Sequence, residues 1–438
     1  MKVLLAANAS YVPPRGGSTR SNLVWLEHLA SRGHDVRVVS PALAEETPDQ
    51  ARRKRADLEE QEILVTHVKT DHKLGFEVLK RGEITVYSVA DPAKMRAVLR
   101  SKILKHEPDW ILVSSEDLGQ ALLAEAIETA PGRVVYLAHT PQMFPFGPAS
   151  LNPNPAGQEL LLRTAAMVAI GEHTADYTAR HLGRRPTVIH PPVYGKPPWI
   201  RRDHDKPGLI TMINPSPVKG VSIFLELARR FPHYSFGALR GWGTTKAIED
   251  ELTALPNVQM LRKVKHIEAI LRRTKVLLMP ALWYEGFGLV VMEAMLRGVP
   301  VLASNMGSLV EAKMGTNYVL PVNPIERYTT VFDENRMPAP VVPEQDIEPW
   351  AKALAELMED PELYRRESQA AGEAAEHFVS SVKESLFEEF LLKLTPNAPP
   401  GPTPRAAPDD ETRKALGGLS AGKRALLLRK LKERQGSV

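Results

Sequence analysis

The chain has 438 residues, with 56 Lys and Arg against 52 Asp and Glu, 43% hydrophobic residues and no cysteine. Such a length and composition bound a globular protein of two or three domains, and the lack of cysteine excludes disulfides, thiolate catalysis and cysteine-rich metal sites. The positive balance is local. Residues 395–438 hold nine Lys and Arg against four Asp and Glu with no aromatic residue among them, so a base-stacking platform is poorly supported and nucleic acid is not expected as a partner.

Val3-Leu-Leu-Ala-Ala7 reads as a buried first strand, too short for a signal peptide, and no run approaches the roughly 18 apolar residues of a membrane span. A cytoplasmic setting is therefore expected. A helix over 18–32 and the turn Gly33-His34-Asp35 lead into a strand at 36–39, a β-α-β unit. Gly16-Gly17, between the first strand and this helix, let a loop approach a ligand closely, with Arg15 beside them, although no Gly-x-Gly-x-x-Gly is present. Residues 45–105 are charged and poorly periodic and read as an insertion.

Further strands are expected at 110–113, 134–137 and 167–170, with 187–190 closing the first series. His139 follows the strand 134–137, on the edge where open α/β sheets bind ligands. Glu116 after the strand 110–113 is a weaker candidate for binding ligand hydroxyls, and Met143-Phe-Pro-Phe-Gly147 for lining the same pocket. Residues 191–207 carry five prolines and read as a linker. Asp203-His204-Asp205 inside it looks like a metal-binding Asp-x-Asp, but among Arg201, Arg202 and Lys206 it reads as a solvated loop.

A second series of strands starts at 209–213 and continues at 257–261, 276–279 and 299–302, so the fold class is α/β with two doubly wound halves. Asn214-Pro-Ser-Pro-Val-Lys219-Gly220 ends its first strand, before a helix over 221–230. After the strand 276–279 comes Glu285-Gly286-Phe287-Gly288-Leu289, then Glu293 two turns into a helix. The glycines would let backbone N–H groups close on a phosphate at the helix start, and an acceptor-only carboxylate at Glu293 suits a ribose diol or sugar hydroxyls. The plainer alternative is a helix-capping Glu285 and a solvated Glu293. Helical sequence fills 349–394, six prolines lie between 396 and 408, and 419–434 reads as a basic amphipathic helix with Ser420 as its candidate cap.

Tyr284-Glu-Gly-Phe-Gly-Leu289, Glu293-Ala-Met295, Gly298-Val-Pro-Val301 and Gly307-Ser-Leu-Val-Glu311 resemble the donor-site signature of family 4 retaining glycosyltransferases (glycosyl transferases group 1). The resemblance runs from about residue 1 to 390 and implies the GT-B architecture, two Rossmann-like domains facing a cleft. On it, 1–195 is an acceptor-binding domain, 196–207 a hinge linker, 208–375 a nucleotide-sugar-binding domain and 376–394 a helix crossing back to the first domain. A proline-rich linker then spans 395–418, before the basic amphipathic helix 419–434.

The implied activity is metal-independent, retaining transfer from a nucleotide-sugar, with UDP-sugars the family's commonest choice, to a hydroxyl acceptor. His139, Lys219 and Glu285 are the expected catalytic residues. Gly16, Gly17, Asn214, Gly241, Arg262, Val264, Gly286, Phe287, Gly288, Leu289 and Glu293 are expected to bind the donor, and Trp242 to stack on its base or simply to pack. Lys219 would reach the diphosphate as a mobile point charge. The family's usual arginine five positions earlier is Asn214 here, which leaves open a replacement at Arg240, Arg262 or Lys263, or weaker diphosphate affinity.

No metal or other cofactor is implied. Residues 419–434 resemble docking helices found beside condensation domains in nonribosomal peptide synthetases, which suggests a megasynthase partner and a peptide or polyketide acceptor. Contact with anionic lipid and packing on the chain's own surface are the alternatives. Rival readings are a GT-B-fold sugar-nucleotide epimerase, or a catalytically silent scaffold recruiting partners through the tail.

Overall fold

The computed structural model describes residues 1–396 apart from 15, 44–51, 53–55, 57, 60–62, 205, 263, 265, 335 and 336. The segment 419–434 and all but the start of the proline-rich stretch, and with them the docking and membrane expectations, lie outside the described residues.

Two mostly parallel sheets carry the fold. The first has nine strands in the order β3-β4-β5-β2-β1-β6-β7-β8-β9, where β1 is Lys2–Ala6, β2 Asp35–Pro41, β3 Thr66–Asp71, β4 Phe76–Arg81, β5 Ile84–Val89, β6 Trp110–Ser114, β7 Val134–Ala138, β8 Ala166–Ala169 and β9 Thr187–Val188. The second has six, ordered β12-β11-β10-β13-β14-β15, with β10 Leu209–Ile213, β11 Phe236–Leu239, β12 Val258–Leu261, β13 Thr274–Met279, β14 Val301–Ser304 and β15 Val319–Leu320. Strands β6, β7 and β8 are buried along their whole length, as continuous apolar runs in a sheet covered on both faces must be. In each sheet the strand order reverses beside its first strand, between β1 and β6 and between β10 and β13. Ligands of open α/β sheets bind outside the carboxyl ends of strands at such reversals.

The reading of 45–105 as an insertion is corrected. β5 is fully buried and pairs in parallel with β2, and β4 and β3 extend the sheet antiparallel from it. The signal lay in Arg81-Gly-Glu-Ile84. Arg81 opposes Ile84 across a two-residue turn whose Gly82 has φ 54, the conformation a tight hairpin demands of its first turn residue. A strand is also absent at 299–300. Pro300 has no N–H for a ladder, and it serves instead as an acceptor for Leu277 N at 3.0 Å, so β14 begins at Val301.

The C-terminal helical sequence forms three helices. Asp360 ends the first, Glu348–Glu359, and caps the second, Pro361–Ser381, by accepting from the N–H groups of Glu362 and Leu363 at 3.0 Å, with proline preorganised at the first helical position. The third, Leu386–Lys393, packs on the first sheet's domain. Phe387 stacks on Trp25 with centroids 4.5 Å apart, and Trp110 Nε1 donates to Leu391 O at 3.1 Å.

Glu388 in that helix joins His34 at 2.8 Å and His28 at 3.1 Å. Burial works to raise its pKa, but the bonds to His34 and His28 and the charge of Arg32 outweigh it and hold the carboxyl below its ordinary 4.5. A depressed carboxyl stabilises the fold above the unfolded pKa and loses that contribution as pH falls through the folded one. Glu388→Gln is therefore expected to cost about 1 kcal/mol near neutrality, with the difference in thermal midpoint from the parent chain shrinking below pH 4.5 in a melting series.

Candidate active site

The carboxyl ends of the two sheets face one another across a cleft of about 1370 Å³, larger than the roughly 300–1,000 Å³ usual for one small ligand and sufficient for two. Gly16, Gly17, Arg20, Glu116 and His139 line it from one side, and Asn214, Lys219, Gly241, Arg262, Val264, Glu285 and Glu293 from the other.

Lys219 ends a 3-10 turn, Pro217–Lys219, after β10. The next residue, Gly220, has φ 78, and a Cβ there would lie 1.9 Å from Pro280 O. Only glycine lets the two loops touch, and Leu282 N donates to Val218 O at 2.9 Å across the junction. The contact brings the Lys219 ammonium onto the Glu285 carboxylate as an ion pair, with side chains 15% and 12% exposed. Trp283 Nε1 donates to the same carboxylate oxygen at 2.9 Å, and the ammonium stands 5.2 Å from the Trp283 ring centroid.

Glu285 does not cap the following helix. The helix Leu289–Met295 has Gly288 as its cap, at φ 85 and with no side-chain cap bond. Glu285 is fixed by its backbone, which forms a parallel bridge with Gly307 and accepts from Ser308 N at 3.0 Å. A Cβ on Gly307 would sit 2.6 Å from Glu285 N.

The glycines of the motif serve packing as well as any ligand. A Cβ on Gly286 would fall 2.2 Å from His139 O, so Gly286 is where the two domains meet at backbone distance. One on Gly288 would fall 2.8 Å from Leu309 Cδ2. The Phe287 ring is buried, stacked on Phe378 at 5.4 Å and against His190 at 4.8 Å, so it can offer a ligand only its backbone. Leu289 lines the cleft opposite Gly17, and Trp242, 37% exposed, lies 5.9 Å from Trp283 and against Gly16.

Asn214 occupies a left-handed conformation, φ 59, which asparagine tolerates far better than most residues. Its Oδ1 accepts from Gly243 N at 2.8 Å, while its buried Nδ2 has no protein partner. A Cβ on Gly241 would come within 2.4 Å of Asn214 Cβ, so the Gly241-Trp242-Gly243 loop is folded down on this side chain. Among the proposed replacements, Arg240 pairs with Glu249 at 3.4 Å, Arg262 lines the cleft, and Lys263 lies outside the described residues.

His139 is 2% exposed. Its Nε2 meets Asn22 Oδ1 at 3.0 Å, and the Asn22 amide group donates to Tyr11 Oη at 2.9 Å and Ser114 Oγ at 3.0 Å. That donor role leaves Oδ1 as an acceptor, so Nε2 carries the imidazole proton and Nδ1 is the bare nitrogen. Nδ1 has no protein partner. Ser114 Oγ donates in turn to the Glu116 carboxylate. Burial lowers the His139 pKa more than the Glu116 charge raises it, which keeps the ring neutral.

Two cross-domain contacts had no trace in the sequence reading. Arg20, on the helix Gly17–Ser31, forks onto Glu293 at 2.8 and 3.3 Å, and the Glu293 charge raises its already high pKa. Glu293 is thus not a solvated residue. Glu311 accepts from Glu172 N at 2.9 and 3.0 Å, so a carboxylate of one domain caps the helix Glu172–Leu182 of the other. Burial raises the Glu311 pKa, against the lowering effect of those N–H groups.

Asp203 pairs with Lys206 at 3.4 Å, and among the described residues no group of three or more His, Asp or Glu is arranged to hold a metal ion. Among them, too, no helix is long and apolar enough to cross a membrane.

Comparison with known proteins places both halves. Residues 15–194 match a family described as Glycosyltransferase Family 4, and residues 208–360 one described as Glycosyl transferases group 1. An exopolysaccharide phosphotransferase of Streptomyces coelicolor is 22% identical over 408 residues, 86% of this chain and 39% of that protein, so the chain spans about two fifths of the relative's length. The fold is similar to that of a sucrose-phosphate synthase from Thermosynechococcus elongatus, with TM-score 0.62, 13% identity and coverage of 90% of this chain and 99% of that one. It is also similar to an Anabaena protein solved with UDP-glucose, with TM-score 0.59, 16% identity and coverage of 89% and 99%. The α/β class and the GT-B arrangement of two Rossmann-like domains are established by these likenesses together with the two sheets.

Proposed function

We propose that this chain, in which a family 4 glycosyltransferase domain is followed by a group 1 glycosyltransferase domain on a GT-B fold, transfers a sugar from a nucleotide-sugar to a hydroxyl acceptor with retention of configuration. The observation that carries the reading is the meeting of Lys219, Glu285 and Glu293 at the carboxyl ends of the second sheet, in a cleft with room for two substrates. UDP is the favoured nucleotide, because a solved protein of similar fold holds UDP-glucose.

Lys219 turns from Glu285 to the diphosphate and offsets the charge that builds on it as the sugar C1–O bond breaks. Glu285, released, accepts hydrogen bonds from the donor sugar's hydroxyls, and Glu293 those of the ribose. The backbone N–H groups at Gly288 and Leu289 and the unpartnered amide of Asn214 add neutral donors. The acceptor oxygen attacks C1 on the face the phosphate leaves, and its proton passes to the departing phosphate oxygen, so no protein nucleophile is needed. His139, neutral and with Nδ1 bare, accepts from a substrate hydroxyl. Charge on the phosphate is met by side chains and dipoles, and the proposed transfer needs no metal.

For the acceptor we carry forward a hydroxyl-bearing natural product presented through residues 419–434, in a cytoplasmic setting. The support for that docking is the resemblance of the segment alone. The reaction is tested by incubating the full chain with UDP-α-glucose and an acceptor panel in EDTA and reading the product's anomeric proton by NMR. An α-glycoside is expected, and a β-glycoside would overturn front-face transfer.

A second expected outcome concerns Glu293. Glu293→Ala is expected to lower the thermal stabilisation that a nucleoside diphosphate gives the parent chain, from about 2.7 kcal/mol at a hundredfold excess over Kd to about 1.4 kcal/mol or less at the same concentration. Differential scanning fluorimetry with and without UDP checks it.

A further inference from the structure

Two of the cations lining the cleft at the donor site, Lys219 and Arg20, are each spent on a carboxylate, Glu285 and Glu293 respectively. A nucleotide-sugar brings a diphosphate with two negative charges and, on either side of it, hydroxyl donors on ribose and sugar. If the carboxylates take the hydroxyls, as the function proposed above requires, both cations are released together, one for each phosphate charge.

Position 214 cannot supply the second cation. Asn214 is neutral, sits at φ 59, and uses its Oδ1 to hold Gly243. Arg240 is paired with Glu249, and Arg262 follows the edge strand β12, two strands away from β10 and its Lys219 turn. Arg20 differs from these. Its side chain is 44% exposed whereas that of Glu293 is 5% exposed, and it lines the same cleft as Lys219. It also stands one turn beyond the Gly16-Gly17 loop, which abuts Trp242 and Leu289 of the other domain. An arginine half open to a cleft can turn to a ligand there, and its planar fork suits two phosphate oxygens as well as two carboxylate oxygens.

We propose that Arg20 is the second diphosphate-binding cation of the donor site, held on Glu293 while the site is empty and transferred to the diphosphate when Glu293 takes the ribose diol. The proposal rests on the donor reading above. It makes the first domain contribute charge to a nucleotide otherwise held by the second, so diphosphate binding draws the two domains together. A nucleoside lacking phosphates must break the Arg20–Glu293 pair without giving Arg20 a new partner, and binds poorly for that reason.

The test is titration calorimetry of uridine and UDP, with the guanosine and adenosine pairs alongside, against the full chain, Arg20→Gln, Arg20→Lys and Glu293→Gln. In Arg20→Gln the preference for diphosphate over nucleoside is expected to fall about tenfold or more, one charge-assisted contact's worth, with the nucleoside itself binding more tightly. Arg20→Lys is expected to restore part of the preference, and Glu293→Gln, which leaves Arg20 free, to retain it. Equal tightening of nucleoside and diphosphate in Arg20→Gln would show a simple latch and overturn the proposal, as would an unchanged preference in both Arg20 variants. Failure of the parent chain to bind any of the three diphosphates would instead remove the donor reading, and this inference with it.

Discussion

Lys219→Ala is expected to lower kcat/KM for the donor about 10²–10³-fold, the effect of removing one preorganised group that meets charge in the transition state. The lysine is placed by structure, not by reach alone: Gly220 closes its turn onto Pro280, and its ammonium is held between Glu285 and the face of Trp283. Without it, charge on the departing diphosphate loses its nearest cation in the second domain. Glu285 is also left as a largely buried carboxylate with only Trp283 as its donor, so some loss of stability accompanies the loss of rate. Lys219→Arg separates the two, since it restores a charge for Glu285 without the compact ammonium. Steady-state kinetics with the thermal midpoint of each variant is the check. A kcat/KM fall that Lys219→Arg recovers in full would assign the lysine to stability.

Gly286→Ala is the other substitution with a large expected effect, through sterics alone. The added Cβ falls 2.2 Å from the backbone oxygen of His139 and 3.1 Å from Ile170 Cδ1. Backbone oxygen in a strand-end loop cannot yield by that much, so the domains must separate by on the order of 1 Å, a misplacement able to cost about 10²-fold in rate. Each domain keeps its own core, and nucleoside binding to the second domain is expected to persist. Transfer activity measured beside uridine binding distinguishes this from unfolding. Lost activity with retained nucleoside binding is the expected pattern, and parent-like activity would mean the domains tolerate the gap.

How much of this was legible in the sequence depended on whether neighbours in space were neighbours in the chain. The buried strands β1, β6, β7, β10 and β13 announce themselves as apolar runs, and Lys219, Glu285 and Glu293 stand in local motifs whose resemblance to a family signature suggests a donor site. β3 was invisible because it is an edge strand with almost every residue exposed, so it carries no alternation to read. β11, Phe-Gly-Ala-Leu, is too short and too poor in branched residues to stand out.

The partners of the site residues were hidden for a different reason. Arg20 and Glu293 lie 273 positions apart, and Asn22 meets His139 across 117. Nothing local to either residue encodes the pairing, which exists only because two switch points face each other. The same holds for Gly286. Its sequence context suggests closeness to a ligand, while the tightest constraint on it is the backbone of the other domain.

The most direct test of the whole account is calorimetric titration of UDP-glucose, GDP-mannose and ADP-glucose into the full chain in EDTA, repeated with Lys219→Ala and Glu293→Ala. The account predicts that one nucleotide class binds the parent chain without added metal and that each substitution weakens it tenfold or more, at least about 1.4 kcal/mol. Tight binding that both variants retain, or no binding by the parent chain to any of the three, would contradict it.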